Sequence, residues 1–186
     1  IGLLRYKTST QSIDYAQFTT LKGTETIKNH IQTILTENDD IIWIGTVNDG
    51  LIEILTTPTN YYEFKFHPLT NKRVLALETD RNGTIFCGTE NDGLFVLGDD
   101  KKFISLKYNK SEPKGIKSNS IWSVFIDENN RIWLGYFNQG VDIYDEGKAR
   151  FKSIESIPNK DQSLYSKSVT AITLDNEDRV WFGLAE

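Results

Sequence analysis

The sequence is poor in the residue types on which most nucleophilic, redox and metal chemistry depends. It has one cysteine, Cys87, and two histidines, His30 and His67. A single thiol can close no internal disulfide and build no cysteine-rich zinc site. The two histidines are accompanied by no Ser, His and Asp set and no metal-spaced cluster. We therefore expect no enzyme activity, no catalytic residue, no metal site and no cofactor, although composition does not exclude catalysis by carboxylates alone. Long apolar runs are also lacking: nothing approaches the ~18 residues that suggest a membrane span, so no membrane contact is expected within this segment. The opening Ile1-Gly2-Leu3-Leu4-Arg5-Tyr6 has neither an initiator Met nor a signal-peptide layout, and the chain reads as an excerpt. Positive charge is not in excess either. Twenty-one Lys and Arg are interspersed with 26 Asp and Glu for a formal net charge of -5, which leaves no basic stripe for a phosphate backbone and makes nucleic acid an unexpected partner.

What is present is core-forming material and repetition. The 186 residues are 38% hydrophobic and 12% aromatic, enough to bury a core within one compact domain, 1–186. Ile41-Ile42-Trp43-Ile44-Gly45-Thr46 returns as Thr84-Ile85-Phe86-Cys87-Gly88-Thr89, as Arg131-Ile132-Trp133-Leu134-Gly135-Tyr136 and as Arg179-Val180-Trp181-Phe182-Gly183-Leu184. The motif glycines are spaced by 43, 47 and 48 residues, within the range of propeller blades. Six residues before each aromatic stands an acid: Glu37, Asp80, Asp127 and Asp175. Three residues before each acid stands an apolar residue (Ile34, Leu77, Val124, Ile172), with another three earlier (Ile31, Val74, Ile121, Val169).

After the motif glycines Gly45, Gly88 and Gly135 come four residues and then a second glycine: Gly50, Gly93 and Gly140. Asn48-Asp49-Gly50 and Asn91-Asp92-Gly93 tolerate the positive φ of a tight hairpin turn. Short β-prone strands follow at Leu51–Ile54, Leu94–Leu97 and Val141–Tyr144, and fourth strands are expected at Tyr61–Phe66, Lys102–Tyr108 and Arg150–Ile154. Four antiparallel strands per unit make a propeller blade. The expected fold is all-β, with about four blades' worth of sheet: a half blade and its lead-in loop over 1–30, blades over 31–73, 74–120 and 121–168, and a half blade over 169–186. The two half blades are complementary, so either a closed four-blade ring or an arc of a seven-bladed propeller is consistent with the register.

The repeated aromatics Trp43, Phe86, Trp133 and Trp181 are expected to pack between blades, because recurrence at one register is how a repeat core looks. Cys87 takes the place of Ile44, Leu134 and Phe182, which indicates a buried apolar thiol. The acids are expected to organise the turns that follow them through side-chain to backbone hydrogen bonds.

The pattern I-x-x-I-x-x-D-x-x-x-x-I-W-I-G-T-x-x-x-G-L resembles the regulator-propeller (two-component regulator propeller) repeat of hybrid two-component sensors, across the whole chain. Thr46 and Thr89 of the pattern become Tyr136 and Leu184 in later units. The resemblance implies seven-bladed periplasmic propellers, followed by an immunoglobulin-like domain, a membrane helix and kinase modules. It also implies an extracytoplasmic sensing role, part of an inner-membrane receptor, directed at glycan-derived oligosaccharides.

In such blades the loops leading into strand one and those joining strands two and three emerge on one face, where ligands commonly bind. The candidate ligand-binding residues are accordingly His30, Arg73 and Ser120 from the first set, and Asn48, Asn91, Tyr136, Phe137 and Asn138 from the second. Tyr136 and Phe137 break the repeat, as does Trp122, aligned with Gln32, Leu75 and Thr170, for which filling of a blade interface is the favoured role. The expected partners are an oligosaccharide and either the remaining propeller blades or a second copy of the chain. The alternatives are a propeller polysaccharide lyase or glycosidase and a non-catalytic protein-interaction scaffold.

Overall fold

The computed structural model describes residues 3–15, 18–20, 23–25, 30–56, 62–98, 102–145, 147 and 150–185; Gly2, Asn29 and Tyr61 lie outside them. The chain divides into two compact units, Ile1–Val74 and Leu75–Glu186. Apart from a 3-10 position at Gly147, the regular elements of the described residues are β-strands, and within each blade consecutive strands pair as the repeat requires.

In the first unit, β1 (Leu4–Lys7) pairs with β2 (Ser12–Tyr15) as a two-stranded antiparallel sheet. The first complete blade is formed by β5 (Ile31–Thr36), β6 (Ile41–Thr46), β7 (Leu51–Thr56) and β8 (Tyr62–His67). The lead-in segment is more than a loop. It contains a hairpin, β3 (Phe18–Thr20) and β4 (Gly23–Glu25), and β3 joins β8 in parallel with Phe18 opposite Tyr62, so the sheet runs β4-β3-β8-β7-β6-β5. An outer strand leaves a row of unpaired backbone donors and acceptors, and this hairpin covers part of that edge. Ile44, Ile52, Ile54 and Tyr62 are the buried centre of the unit.

In the second unit, β9 (Val74–Thr79, of which Val74 belongs to the first unit), β10 (Ile85–Thr89), β11 (Leu94–Leu97) and β12 (Phe103–Leu106) form a four-stranded sheet. A second such sheet is formed by β13 (Ile121–Ile126), β14 (Ile132–Tyr136), β15 (Val141–Asp145) and β16 (Arg150–Ile154), and β17 (Ser168–Leu174) pairs with β18 (Val180–Ala185) as a half blade. Between the sheets lie two apolar layers. One gathers Phe86, Leu94, Ile121, Val124 and Leu134; the other gathers Trp133, Val141 and Val169, with Phe182 packed against it. Burial of each such large side chain stabilises the fold by about 1.5–3 kcal/mol. Gly135 permits the second contact, since a Cβ there would lie 2.2 Å from Ser123 Oγ and 3.0 Å from Val169 Cγ1.

Two local devices recur. The first is a β-bulge in the first strand, where the register slips between Ile31 and Thr33, between Ile121 and Ser123 and between Val169 and Ala171. The extra residue lets Ile121 and Val124, three positions apart, enter the same core despite the two-residue period of a strand. The bulged residues themselves are Gln32, Trp122 and Thr170.

The second device is the acid-anchored turn. Asp80 Oδ1 accepts the backbone N–H groups of Asn82 and Thr84 at 2.9 and 2.8 Å, Asp127 Oδ1 those of Asn129 and Arg131, and Asp175 Oδ1 those of Glu177 and Arg179. Glu37 departs from the expectation. Its turn is closed instead by Asn38, whose Oδ1 accepts the N–H of Asp40. The sequence also hides a second role for the acid, which accepts the indole N–H six residues on: Glu37 from Trp43 at 2.6 Å, Asp127 from Trp133 at 2.8 Å and Asp175 from Trp181 at 2.7 Å. Arg131 and Arg179 add Nε donors to the same Oδ2 atoms.

Trp43, Phe86 and Trp133 are buried as expected for packing residues, but Trp181 is 57% exposed. Trp133 lies 6.1 Å from the ring of Phe182 on the adjoining half blade, whereas no further sheet of the second unit lies over Trp181. Cys87 is fully buried, and burial pushes its thiol up to about 12, where it carries no thiolate at neutral pH.

Candidate functional site

Within each unit, backbone hydrogen bonds join the lead-in loops to the loops between strands two and three. Val47 N donates to His30 O at 3.0 Å and Phe137 N to Ser120 O at 3.1 Å. Gly93 N donates to Asn119 O at 2.9 Å and Gly140 N to Lys167 O at 2.7 Å, linking the turn of one blade to the lead-in of the next. The turns are held from inside as well: Thr46 Oγ1 donates to Gly50 O at 2.8 Å and Thr89 Oγ1 to Gly93 O at 2.7 Å. This closure accounts for the threonine that ends the W-I-G-T block.

In the first unit His30 and Asn48 are exposed near each other, and Asn48 borders an open depression of about 570 Å³ floored by Phe66 and Leu69. Arg73 is exposed just ahead of β9. In the second unit Asn91 is exposed at a turn, with a φ of 66°. Asn138 has a φ of 61° and donates its backbone N–H to Ser168 Oγ at 3.3 Å.

The densest constellation surrounds Trp122. As the bulged residue of β13, it turns out of the core and stacks on Phe137, with ring centroids 4.9 Å apart and 21° between planes. Its indole N–H donates to Ser120 Oγ at 3.2 Å, which fixes the ring. Phe137 is 47% exposed and Trp122 is half-buried. Ser120 is mostly buried and serves the indole. Together with the exposed Asn138, Trp122 and Phe137 form a paired aromatic surface with an amide beside it. Sequence reasoning assigned Trp122 to interface filling. The signal for its true position was the three-residue spacing of Ile121 and Val124, which a regular strand cannot place on one side.

Tyr136 stands apart from the other candidates. It is fully buried, its hydroxyl donates to Asp142 Oδ2 at 2.9 Å, and Ser153 Oγ donates to Asp142 Oδ1 at 2.6 Å. Burial, reinforced by the charge of Asp142, pushes the Tyr136 phenol well above its ordinary value. Burial likewise raises the Asp142 carboxyl, against the hydrogen bonds from Ser153 and Tyr136. Its hydroxyl is thus spent inside the blade, and the tyrosine replaces a turn-closing threonine with a buried polar pair. Among the described residues there is no group of three or more His, Cys, Asp and Glu placed to hold a metal ion.

Comparison with known proteins agrees with this architecture. The family model described as two component regulator propeller matches residues 115–138, the stretch that runs from the lead-in loop through Trp122 to Asn138. A histidine kinase P4 from Formosa agariphila is 35% identical over 97 residues, which is 48% of this chain and 7% of that protein. The extracellular domain described as that of a hybrid two component system, BT4673, from B. thetaiotaomicron superposes with a TM-score of 0.71 at 20% identity, covering 98% of this chain and 23% of that one. Virginiamycin B lyase from Staphylococcus aureus superposes with a TM-score of 0.61 at 15% identity, over 91% of this chain and 58% of that one. The chain therefore spans a small part of the signalling proteins it resembles. The family repeat is matched in one blade, and the same register recurs in the others.

Proposed function

We propose that this chain is part of the periplasmic, ligand-sensing region of a two-component receptor and that it binds a glycan-derived oligosaccharide without turning it over. The observation that carries the reading is the Trp122–Phe137 stack, held on the loop face by a bulge and by Ser120. A sugar ring offers an apolar C–H face to an aromatic surface and hydroxyls to neighbouring amides, and this surface supplies both. His30, Asn48, Arg73, Asn91 and Asn138 provide further polar groups on the loops of successive blades. The likeness to extracellular domains of two-component systems supports the sensing role and the location. Trp181 and Leu184, exposed on the half blade, support completion of the sheet stack by the remaining propeller blades or by a second copy of the chain. Ligand occupancy would then act by favouring one arrangement of propellers over another.

The test is isothermal calorimetry against a panel of oligosaccharides, with product analysis in parallel. Binding without cleavage, weakened about tenfold or more by Trp122→Ala and by Phe137→Ala, is the expected result. Release of cleaved product would make the protein a lyase or glycosidase. Binding that both variants leave unchanged would remove the aromatic surface from the site.

A further inference from the structure

The aromatic-bearing rows of the repeat are not equivalent, and the one in the cleft between the two four-stranded sheets of the second unit is built to hold something. One wall is a cross-strand row formed by Phe86, Val96 and Ile104. The facing wall is the row formed by Ile132, Tyr144 and Phe151. Between them, and bordered at one end by Asp80 and Asn130, is a cavity of about 780 Å³, within the size range of small-molecule sites.

The sister rows show what is missing. In the first blade the corresponding row is Trp43, Glu53 and Lys65, and in the third it is Trp133, Ile143 and Lys152. Both begin with an indole and end with a lysine at the rim. The row lining this cavity begins with the smaller Phe86 and ends with Ile104, 58% exposed, so it is apolar to its outer edge.

The consequence falls on the acid. Asp127 Oδ2 and Asp175 Oδ2 each accept an indole N–H and an arginine Nε. At the corresponding positions of the second blade stand Phe86 and Thr84, neither of which has a side-chain N–H. Asp80 Oδ1 is occupied by its turn, while no donor among the described residues reaches Oδ2. Across the same end of the cavity Asn130 Oδ1 is buried with no hydrogen-bond partner. A buried acceptor without a donor, as Asn130 Oδ1 is, is costly, and the half-buried Asp80 Oδ2 is open to a donor from the apolar cavity beside it.

We infer that this cleft binds a small indole-type molecule, a bicyclic aromatic with a ring N–H, whose ring lies between the two apolar rows and whose N–H donates to Asp80 Oδ2. The ligand takes the place that a tryptophan of the chain itself fills in the neighbouring units. This site is at the end of the strands that carries the acid-anchored turns, away from the loop face that carries Trp122 and Phe137, so it stands or falls separately from the oligosaccharide reading.

The experiment is calorimetric titration of the folded chain with indole and, as a probe of equal shape without the donor, 1-methylindole. Indole is expected to bind and 1-methylindole to bind about tenfold or more weakly, the usual effect of losing a hydrogen bond to a charged acceptor. Asp80→Asn keeps the Oδ1 acceptor for the turn and replaces Oδ2 by an N–H donor, so it should weaken indole by a similar factor while leaving 1-methylindole unaffected. Phe86→Trp should fill the cleft with its own indole and abolish binding of both. The idea fails if indole does not bind at millimolar concentration, if the two probes bind equally, or if Asp80→Asn weakens both alike. Should Phe86→Trp not fold, the Asp80 variant and the probe pair decide the matter alone.

Discussion

Trp133 Nε1 donates to Asp127 Oδ2 across 2.8 Å, inside the protein, and the same two positions meet again in Trp181 and Asp175 at 2.7 Å. The acid sits just beyond the first strand and the tryptophan in the second, so the hairpin between them brings residues six apart in the chain into one hydrogen bond. One carboxylate therefore closes the turn with Oδ1 and anchors the packing aromatic with Oδ2.

Asp127→Asn separates those two duties. The amide oxygen can still serve the turn, but an NH₂ group then faces the indole N–H and the Nε of Arg131, leaving donors opposed in a buried place. A loss of about 2–4 kcal/mol is expected, read as a lower urea midpoint with an unchanged slope. Asp175→Asn should produce a much smaller shift, because its partners Arg179 and Trp181 are exposed and water can serve them. Equal losses at the two positions would contradict this division.

The same carboxylates set the acid limb of stability. Burial opposes ionisation of Asp127, yet hydrogen bonds from Trp133 and Arg131 prevail and hold its carboxyl below the usual range. Hydrogen bonds from Trp181 and then Arg179 hold Asp175 at about 2. A folded-state value below the unfolded one means that the stabilisation is complete above about pH 4, the unfolded value, and is lost as pH falls through the folded values. Urea midpoints should therefore decline from about pH 4 towards pH 2, and Asp127→Asn should flatten that decline.

Asp142 has the opposite sign. Its carboxyl is raised by burial, so the folded state is penalised as pH rises from the unfolded value to the folded one, and the penalty persists above it. Asp142→Asn keeps the shape and can still pair with the hydroxyls of Tyr136 and Ser153. The variant is expected to be more stable than the parent at pH 7, with the difference closing as pH falls towards about 4. A variant less stable at pH 7 would mean that the ionised form is the one the blade favours.

The blades were legible because their cause is local and repeated: turn glycines, alternating strands and an acid at a fixed offset recur in every unit. The loop face was legible for the same reason, since antiparallel order alone puts the lead-in loops beside Asn48, Asn91 and Asn138. Trp122 was misassigned because a bulge changes which side a residue faces without changing its identity, and only the odd spacing of Ile121 and Val124 carried that information. Tyr136 attracted notice by breaking the pattern, but its partner Asp142 is on the next strand, and pairing across strands is a tertiary fact. The hairpin at Phe18–Glu25 had no counterpart in the other units to expose it. The unfilled cleft beside Phe86 depends on an acid that elsewhere accepts the indole N–H six residues on, a bond the sequence does not display, and its facing wall of Ile132, Tyr144 and Phe151 emerges only when two blades are placed together.

The motif glycines test whether the sheets are packed as the repeat demands. At Gly135 a methyl group would meet Ser123 Oγ at 2.2 Å and the backbone oxygen of Val169 at 3.0 Å. The serine can rotate away, but the neighbouring sheet cannot withdraw without opening the layer that holds Trp133. Gly135→Ala should therefore cost about 1–3 kcal/mol, a fall in Tm of roughly 2–4 °C per kcal/mol for a domain of this size. At Gly183 the nearest atom is Ala171 Cβ at 3.1 Å and the next lies at 3.6 Å, so Gly183→Ala should stay within about 0.5 kcal/mol of the parent. The contrast follows from the layer over each glycine: β17 covers Gly135, and no sheet of the second unit covers Gly183. If further blades or a second copy close over the half blade in a larger assembly, Gly183→Ala should become costly there while remaining benign in this chain alone. A penalty at Gly183 in both settings would show that the face is already occupied, and none in either would show that nothing packs against it.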